Sequence, residues 1–237
     1  MSHPVVLLLA RGDARAPLAP ADESICLPND PFAAGRETAF VDAQGIAAGT
    51  VQVNGSWALG DYPFTEMLVV HRGGVTLRCA DQRLQLQPGQ SAVIGRGTDV
   101  QVETDGDCLW AFCLSTQASG PPAPGLSLID HRAVLAPSAA PPASLLIGAT
   151  PQCRSNNLFE DSTSALRIGV WDSTPYARQA RPHPVHELMH VLDGEVELKL
   201  DGEAGLIIKR GDSVFVPQGT PCAWNSTVYA RKYYAVT

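Results

Sequence analysis

Along this chain, apolar and polar residues alternate in short runs rather than recurring every three or four positions. In "GEVELKL" (194–200), Val196, Leu198 and Leu200 fall on one side and Glu195, Glu197 and Lys199 on the other. "VTLRC" (75–79) and "LQLQ" (84–87) repeat the alternation. Successive side chains on extended backbone point to opposite faces, so a period of two predicts half-buried strands. Gly73-Gly74, Asp201-Gly202 and "RGD" at 210–212 supply turns between them. No long amphipathic helix is predicted. The pattern predicts an all-β chain.

The strands come twice. "EMLVVHRGGVTL" (66–77) aligns without gaps on "ELMHVLDGEVEL" (187–198), 121 residues later, with five of the twelve positions identical. "LQLQPGQSAVIGRGTDV" (84–100) then aligns on "LIIKRGDSVFVPQGTPC" (206–222) at an offset of 122. Two blocks in the same order at nearly the same spacing mark a duplication. Short strands punctuated by glycine, present twice, predict two small antiparallel barrels or sandwiches. "STQASGPPAPG" (115–125) and "APSAAPPAS" (136–144) suit an extended connector rather than a packed element. The expected organisation is 1–117, a connector at 118–145, and 146–237.

Composition narrows the function classes. With 45% hydrophobic and 17% charged residues over 237 positions, the chain can bury a core. A net charge of −7 with no basic cluster argues against a nucleic-acid partner. No apolar run approaches membrane-spanning length, and "PVVLLLA" near the start lacks the charged leader of a secretory signal. Six cysteines (26, 79, 108, 113, 153, 222) form no CxxC pair, so they are expected as reduced thiols in a cytoplasmic protein.

Candidate chemistry concentrates in "RPHPVHELMHVLDGE" (181–195), which places three of six histidines in eight residues. On an extended strand Arg181, His183, Glu187 and Met189 share one face, while His186, Leu188 and His190 share the other. At most half of the cluster can meet in one cavity. His186 and His190 are expected to contact the other half or a second chain, and His71 is read as a surface residue.

The spacing H-x3-E-x6-G (His183, Glu187, Gly194) followed by G-x5-P-x-G (Gly211, Pro217, Gly219) resembles the two motifs of the cupins. "GVWDSTP" (169–175), Trp224 and the closing "RKYYAV" (231–236) are similar to the subgroup that includes ureidoglycine aminohydrolase and the ethanolamine-utilisation cupin. The second copy matches over roughly 166–237, and the first more loosely over about 45–117. The resemblance implies a bicupin: two tandem RmlC-like jelly-roll barrels, with further homodimerisation expected. It also implies a place for a divalent metal (zinc, iron, manganese or nickel) inside a barrel, held by two motif-1 histidines, a glutamate and a motif-2 histidine. The second copy keeps His183 and Glu187, but Arg181 and Cys222 replace the outer histidines. The first copy keeps only Glu66, with Tyr62, Gly95 and Val100 at the other motif positions, so no metal is expected there.

Two readings of the second copy stand side by side. His183, Glu187 and Cys222 could ligate zinc or iron, since a thiolate favours soft or borderline ions. Alternatively the metal site has decayed, Arg181 pairs with Glu187, and His183 is a hydrogen-bonded pocket residue. Cys222 is then a small buried hydrophobe or, in a third reading, a nucleophile activated by His183. Arg181 could clamp a ligand carboxylate. Trp224 and Met189 are expected to line the same cavity. Glu66 is read as a hydrogen-bonded relic. The functions that follow are a metal-dependent enzyme on a nitrogenous or carboxylated metabolite, a metal-free metabolite-binding module, or a structural bicupin.

Overall fold

The computed structural model describes residues 5–17, 27–117, 120–200 and 204–237. The predicted turn at Asp201-Gly202 and Cys26 lie outside the described residues. The described residues form strands and one 3-10 turn, Ala143–Leu145, in accord with the alternation.

One sheet belongs to the first copy. Its order is Leu126–Ile129, Ser91–Ile94, Thr65–Cys79, Val100–Ser115, Ile46–Val53 and Arg36–Val41; Ser56–Leu59 and Gln82–Leu86 pair on the two longest strands. The second copy splits into two sheets. Five strands, in the order Leu146–Ile147, Tyr176–Pro182, Pro221–Ser226, Glu195–Lys199 and Leu206–Lys209, form one wall. The other sheet runs Ala136–Ser138, Cys153–Asp161, Leu166–Ser173, Ala230–Val236, Glu187–Asp193, Ser213–Val216, Leu7–Arg11 and Ala14–Arg15. The long strand of the first copy thus has its counterpart in Glu187–Asp193 and Glu195–Lys199, one in each wall. Gly194 makes the break: its φ is +79°, and a Cβ there would lie 1.9 Å from the Tyr229 carbonyl oxygen.

The register supports the duplication residue by residue. Glu66 pairs with Ile94 and Glu187 with Val216, and the repeat alignment equates both members of each pair. Gly49 and Gly169 each sit opposite a register shift, between Thr38 and Phe40 in one half and between Asn157 and Phe159 in the other. A Cβ would lie 2.1 Å from the Glu37 carbonyl oxygen at Gly49 and 2.0 Å from that of Asn156 at Gly169. Both copies have kept a glycine where bulged backbone presses against its neighbour.

Strand parity sorts side chains into three cores. Leu68 and Val70 point into the first barrel with Trp110 and Phe112. Met189 and Val191 point into the second with Val214 and Trp224. The opposite faces, Met67 and Val69 of one barrel and Leu188, Tyr233 and Ala235 of the other, meet in a shared core that joins the barrels. Burial of apolar area on this scale is the main force holding the halves together.

Three expectations change. Residues 118–145 are not an unpacked connector: Leu126–Ile129 pairs with Ser91–Ile94, and Ala136–Ser138 pairs with Cys153–Ser155. Pro137 is tolerated because Ala136–Ser138 is an edge strand, where a missing amide hydrogen costs no ladder bond. The division at 117 is also crossed from the other side, since Leu7–Arg11 pairs with Ser213–Val216 of the second copy. His71 is not a surface residue. It is 4% exposed, because the N-terminal segment folds over it: His71 Nδ1 lies 2.6 Å from the Gly12 carbonyl oxygen and Nε2 2.8 Å from Ser213 Oγ.

Candidate functional site in the C-terminal barrel

A cavity of about 400 Å³ opens between the two walls of the second barrel. The inward face of Glu187–Asp193 contributes Glu187 and Met189, and Ala230–Val236 contributes Lys232 and Tyr234. Arg178 and Arg181 come from Tyr176–Pro182, and Cys222 and Trp224 from Pro221–Ser226, which pairs with it. His183 lies just beyond, held by a backbone hydrogen bond from its amide to the Thr220 carbonyl. Arg181, His183, Glu187, Met189, Cys222 and Trp224, the residues singled out in the sequence, therefore share one cavity, and His186 and His190 are outside it. Strand parity accounts for the division within Glu187–Asp193, but residues 183–186 form a bend rather than extended strand, and His183 and His186 are placed by that bend.

Glu187 is the centre of the polar arrangement. His183 Nε2 is 2.9 Å from its Oε2, and the Lys232 ammonium donates to its Oε1 at 2.7 Å. Burial alone would raise the carboxyl pKa, but Lys232 and then His183 bring it down to about 2. Lys232 also lies over Trp171 and Trp224, 5.1 and 5.3 Å from their ring centroids, in cation–π contact. Arg181 does not pair with Glu187; the lysine has taken that place.

Lys232 carried no metal or pairing expectation in the sequence, although a signal was present. In Ala230–Val236, it is a lone inward cation whose parity partners are Ala230, Tyr234 and Val236. Arg178 was also overlooked. It is buried and donates to the Cys222 carbonyl at 2.6 Å.

A metal fits this donor set poorly. Among the described residues no group of three His, Cys, Asp or Glu side chains is placed to hold a metal ion, so the expected set of His183, Glu187 and Cys222 does not converge as ligands. Both Glu187 oxygens are already engaged, one by a fixed ammonium that would repel a second cation. Cys222 is turned toward its own strand, with Sγ donating to the Ala223 carbonyl at 3.2 Å. Burial raises its thiol pKa, which keeps it protonated and unlike an activated nucleophile. The hydrogen bond of His183 goes to Glu187 rather than to Cys222, so no His-activated thiol is formed.

The first barrel has the same plan, closed. Tyr62, the counterpart of His183, donates to Glu66 Oε2 at 2.8 Å. Trp110 occupies the ladder position of Lys232 and donates to Glu66 Oε1 at 3.4 Å. Arg36 then fills the interior: it pairs with Glu66 at 2.9 Å and Asp30 at 2.8 Å and lies 4.2 Å from the Phe112 ring centroid. In the second barrel the matching ladder position is Ser155, which lines the cavity. A guanidinium in one copy and a hydroxymethyl in the other separate a filled barrel from an open one.

The outward histidines do structural work between the barrels. His186 is 3.1 Å from Asp42 and stacks on Phe215, while His190 Nδ1 shares Ser213 Oγ with His71. Five cysteines among the described residues are free thiols. No helix among them is long and apolar enough to cross a membrane.

Comparison with known proteins agrees with this fold. The EutQ-like cupin domain family matches residues 160–234. A protein of unknown function of the DUF861 family from Pseudomonas syringae pv. tomato is 53% identical, with a TM-score of 0.92 over 99% of this chain and 100% of that chain. A cupin 2 conserved barrel domain protein from Leptotrichia buccalis is 12% identical, with a TM-score of 0.60 over 85% of this chain and 88% of its own. The DUF861 protein Ylba from E. coli is 12% identical, with a TM-score of 0.55 over 97% and 93%. The last two show the fold alone. Among curated proteins none matches. With half its residues shared along the full length of a DUF861 protein, and barrels to match, the chain belongs to the DUF861 family of EutQ-like cupins.

Proposed function

We propose that this protein binds a small metabolite in its C-terminal barrel without a metal ion, the N-terminal barrel serving as a closed structural partner. One observation carries the reading: the ammonium of Lys232 sits on Glu187, at the carboxylate a cupin metal would need. The cavity is concave, walled by Trp171, Tyr176, Trp224 and Tyr234, and has a few convergent polar groups, the general character of small-molecule sites. The finer resemblance to ureidoglycine aminohydrolase and the ethanolamine-utilisation cupin points to nitrogenous or carboxylated metabolites. The second reading, a metal-dependent enzyme on the same class, needs Lys232 to leave Glu187 and Cys222 to turn inward.

Thermal unfolding tests the proposal. Untagged protein dialysed against EDTA is screened with small nitrogenous and carboxylated metabolites. The expected result is a rise in Tm that persists in the chelator, with the compound recovered unchanged. A rise that appears only after adding zinc, iron, manganese or nickel contradicts the proposal and favours the enzyme.

A further inference from the structure

Buried polar atoms without partners are costly, so those that persist point to what is missing. Four such atoms lie on lining residues of the one cavity: Arg181 Nε, His183 Nδ1, Trp224 Nε1 and Ser138 Oγ. They are not alike. Arg181 Nε and Trp224 Nε1 carry hydrogens and can only donate. His183 is different, because its Nε2 faces an ionised carboxylate at 2.9 Å. Nε2 therefore holds the proton, and in the neutral ring Nδ1 is left as an acceptor. The cavity thus offers donors at Arg181 and Trp224 and an acceptor at His183.

The charges add a second constraint. Among the described residues Arg167, Arg178, Arg181 and Lys232 line the cavity, against Glu187 as the single lining carboxylate. Lys232 neutralises Glu187, and among the described residues none of the three arginines has a carboxylate within ion-pair distance. Elsewhere in the chain the interior arginine is handled otherwise: Arg36 is matched by both Asp30 and Glu66. Among the described residues the cavity of the second barrel keeps Arg167, Arg178 and Arg181 without counter-ions, whereas Arg154 and Arg231, outside it, share Asp172.

We infer that the ligand is a small organic acid that also carries a hydroxyl or N–H group: its carboxylate meets Arg181 and Trp224 Nε1, and its donor meets His183 Nδ1. The inference rests on the metal-free pocket proposed above and specifies what that pocket selects. The aromatic walls allow a planar or apolar substituent on the acid, stacked beside Trp224 and Tyr176, which are themselves stacked at 5.6 Å.

Two trios of probes separate the requirements: lactate, propionate and lactamide, and the larger mandelate, phenylacetate and mandelamide. Within each trio the second member lacks the hydroxyl and the third lacks the charge. Binding is measured by calorimetry and ligand-observed NMR on the full chain in EDTA at pH 8. The hydroxy acid is expected to bind best in at least one trio, about tenfold tighter than the acid without the hydroxyl, from one hydrogen bond to a buried acceptor. Arg181→Gln should remove the preference for lactate over lactamide or mandelate over mandelamide. His183→Phe should remove the preference over the deoxy acid and leave the charge preference in place. Circular dichroism checks that both variants fold; if His183→Phe does not, His183→Gln, whose amide can accept, should retain a partial preference. Amides binding as well as acids would overturn the inference and leave the metal-free pocket standing. Binding that requires added zinc would overturn the pocket reading itself. If no probe of either trio binds, the inference is overturned.

Discussion

Two arginines, each inside a barrel, show how the same side chain serves opposite ends. Arg36 is buried with two carboxylates, so Arg36→Ala strips the counter-charge from Asp30 and Glu66 at once. A loss of about 3–5 kcal/mol in unfolding free energy is expected, the usual range for breaking a buried pair from one side. Arg181 has no such partner, and Arg181→Ala should change stability by less than about 1 kcal/mol or raise it. Urea unfolding of the two variants makes the comparison; a large loss at Arg181 would mean it holds the fold rather than a ligand. Glu187 gives a pH signature. Its folded pKa, about 2, lies below the ordinary value of 4.5, so the folded state favours the ionised form. The resulting stability is present above about pH 5 and is lost as pH falls towards 2; at 1.36 kcal/mol per unit it amounts to about 3 kcal/mol. The stability gap between the native chain and Glu187→Gln should narrow over that window, and a gap independent of pH would refute the pairing with Lys232.

Elements carry the contact between the barrels, and there too protonation works against the fold. Burial, and then the neighbouring His71, lowers His190 from 6.5 to about 3, so the fold favours its neutral ring. Stability from this contact is intact above about pH 6.5 and declines as pH falls towards 3, a window that opens above that of Glu187. Melting temperatures of the native chain between pH 7 and pH 5 should fall more steeply than those of His190→Gln; parallel slopes would show that the His71–Ser213–His190 contact does not titrate with folding. The paired glycines make a second test at this scale. Gly49→Ala and Gly169→Ala each force a Cβ to about 2 Å from a facing carbonyl, and each should cost about 1–3 kcal/mol by denaturant unfolding. Equal tolerance of alanine at both would remove the bulge argument. These elements were largely legible beforehand: the two-residue period predicts the strands, and the offsets of 121 and 122 predict their equivalence. The strand Leu7–Arg11 was not, because its partner Ser213–Val216 is some two hundred residues away and nothing local to either announces the pairing.

At the scale of the molecule, duplication has given one filled barrel and one open barrel around a shared apolar seam. Parity places Glu187 and Met189 on the inward face of one strand and Leu188 and His190 outside, while His183 reaches the cavity from the bend before that strand. What parity could not supply is distance across the barrel. Cys222 shares the cavity yet directs its thiol to Ala223, and Lys232, from the last strand, reaches Glu187 first. The identity of the group on Glu187 depends on which two strands face each other, and that is a property of the closed barrel. The central claim is that this group is an ammonium and not a metal. Inductively coupled plasma mass spectrometry of untagged protein, purified from cells grown with zinc, iron, manganese and nickel, tests it most directly. The account predicts well under one-tenth of an equivalent of any of the four. A full equivalent of one metal, lost together in Glu187→Gln and Cys222→Ser, would contradict it.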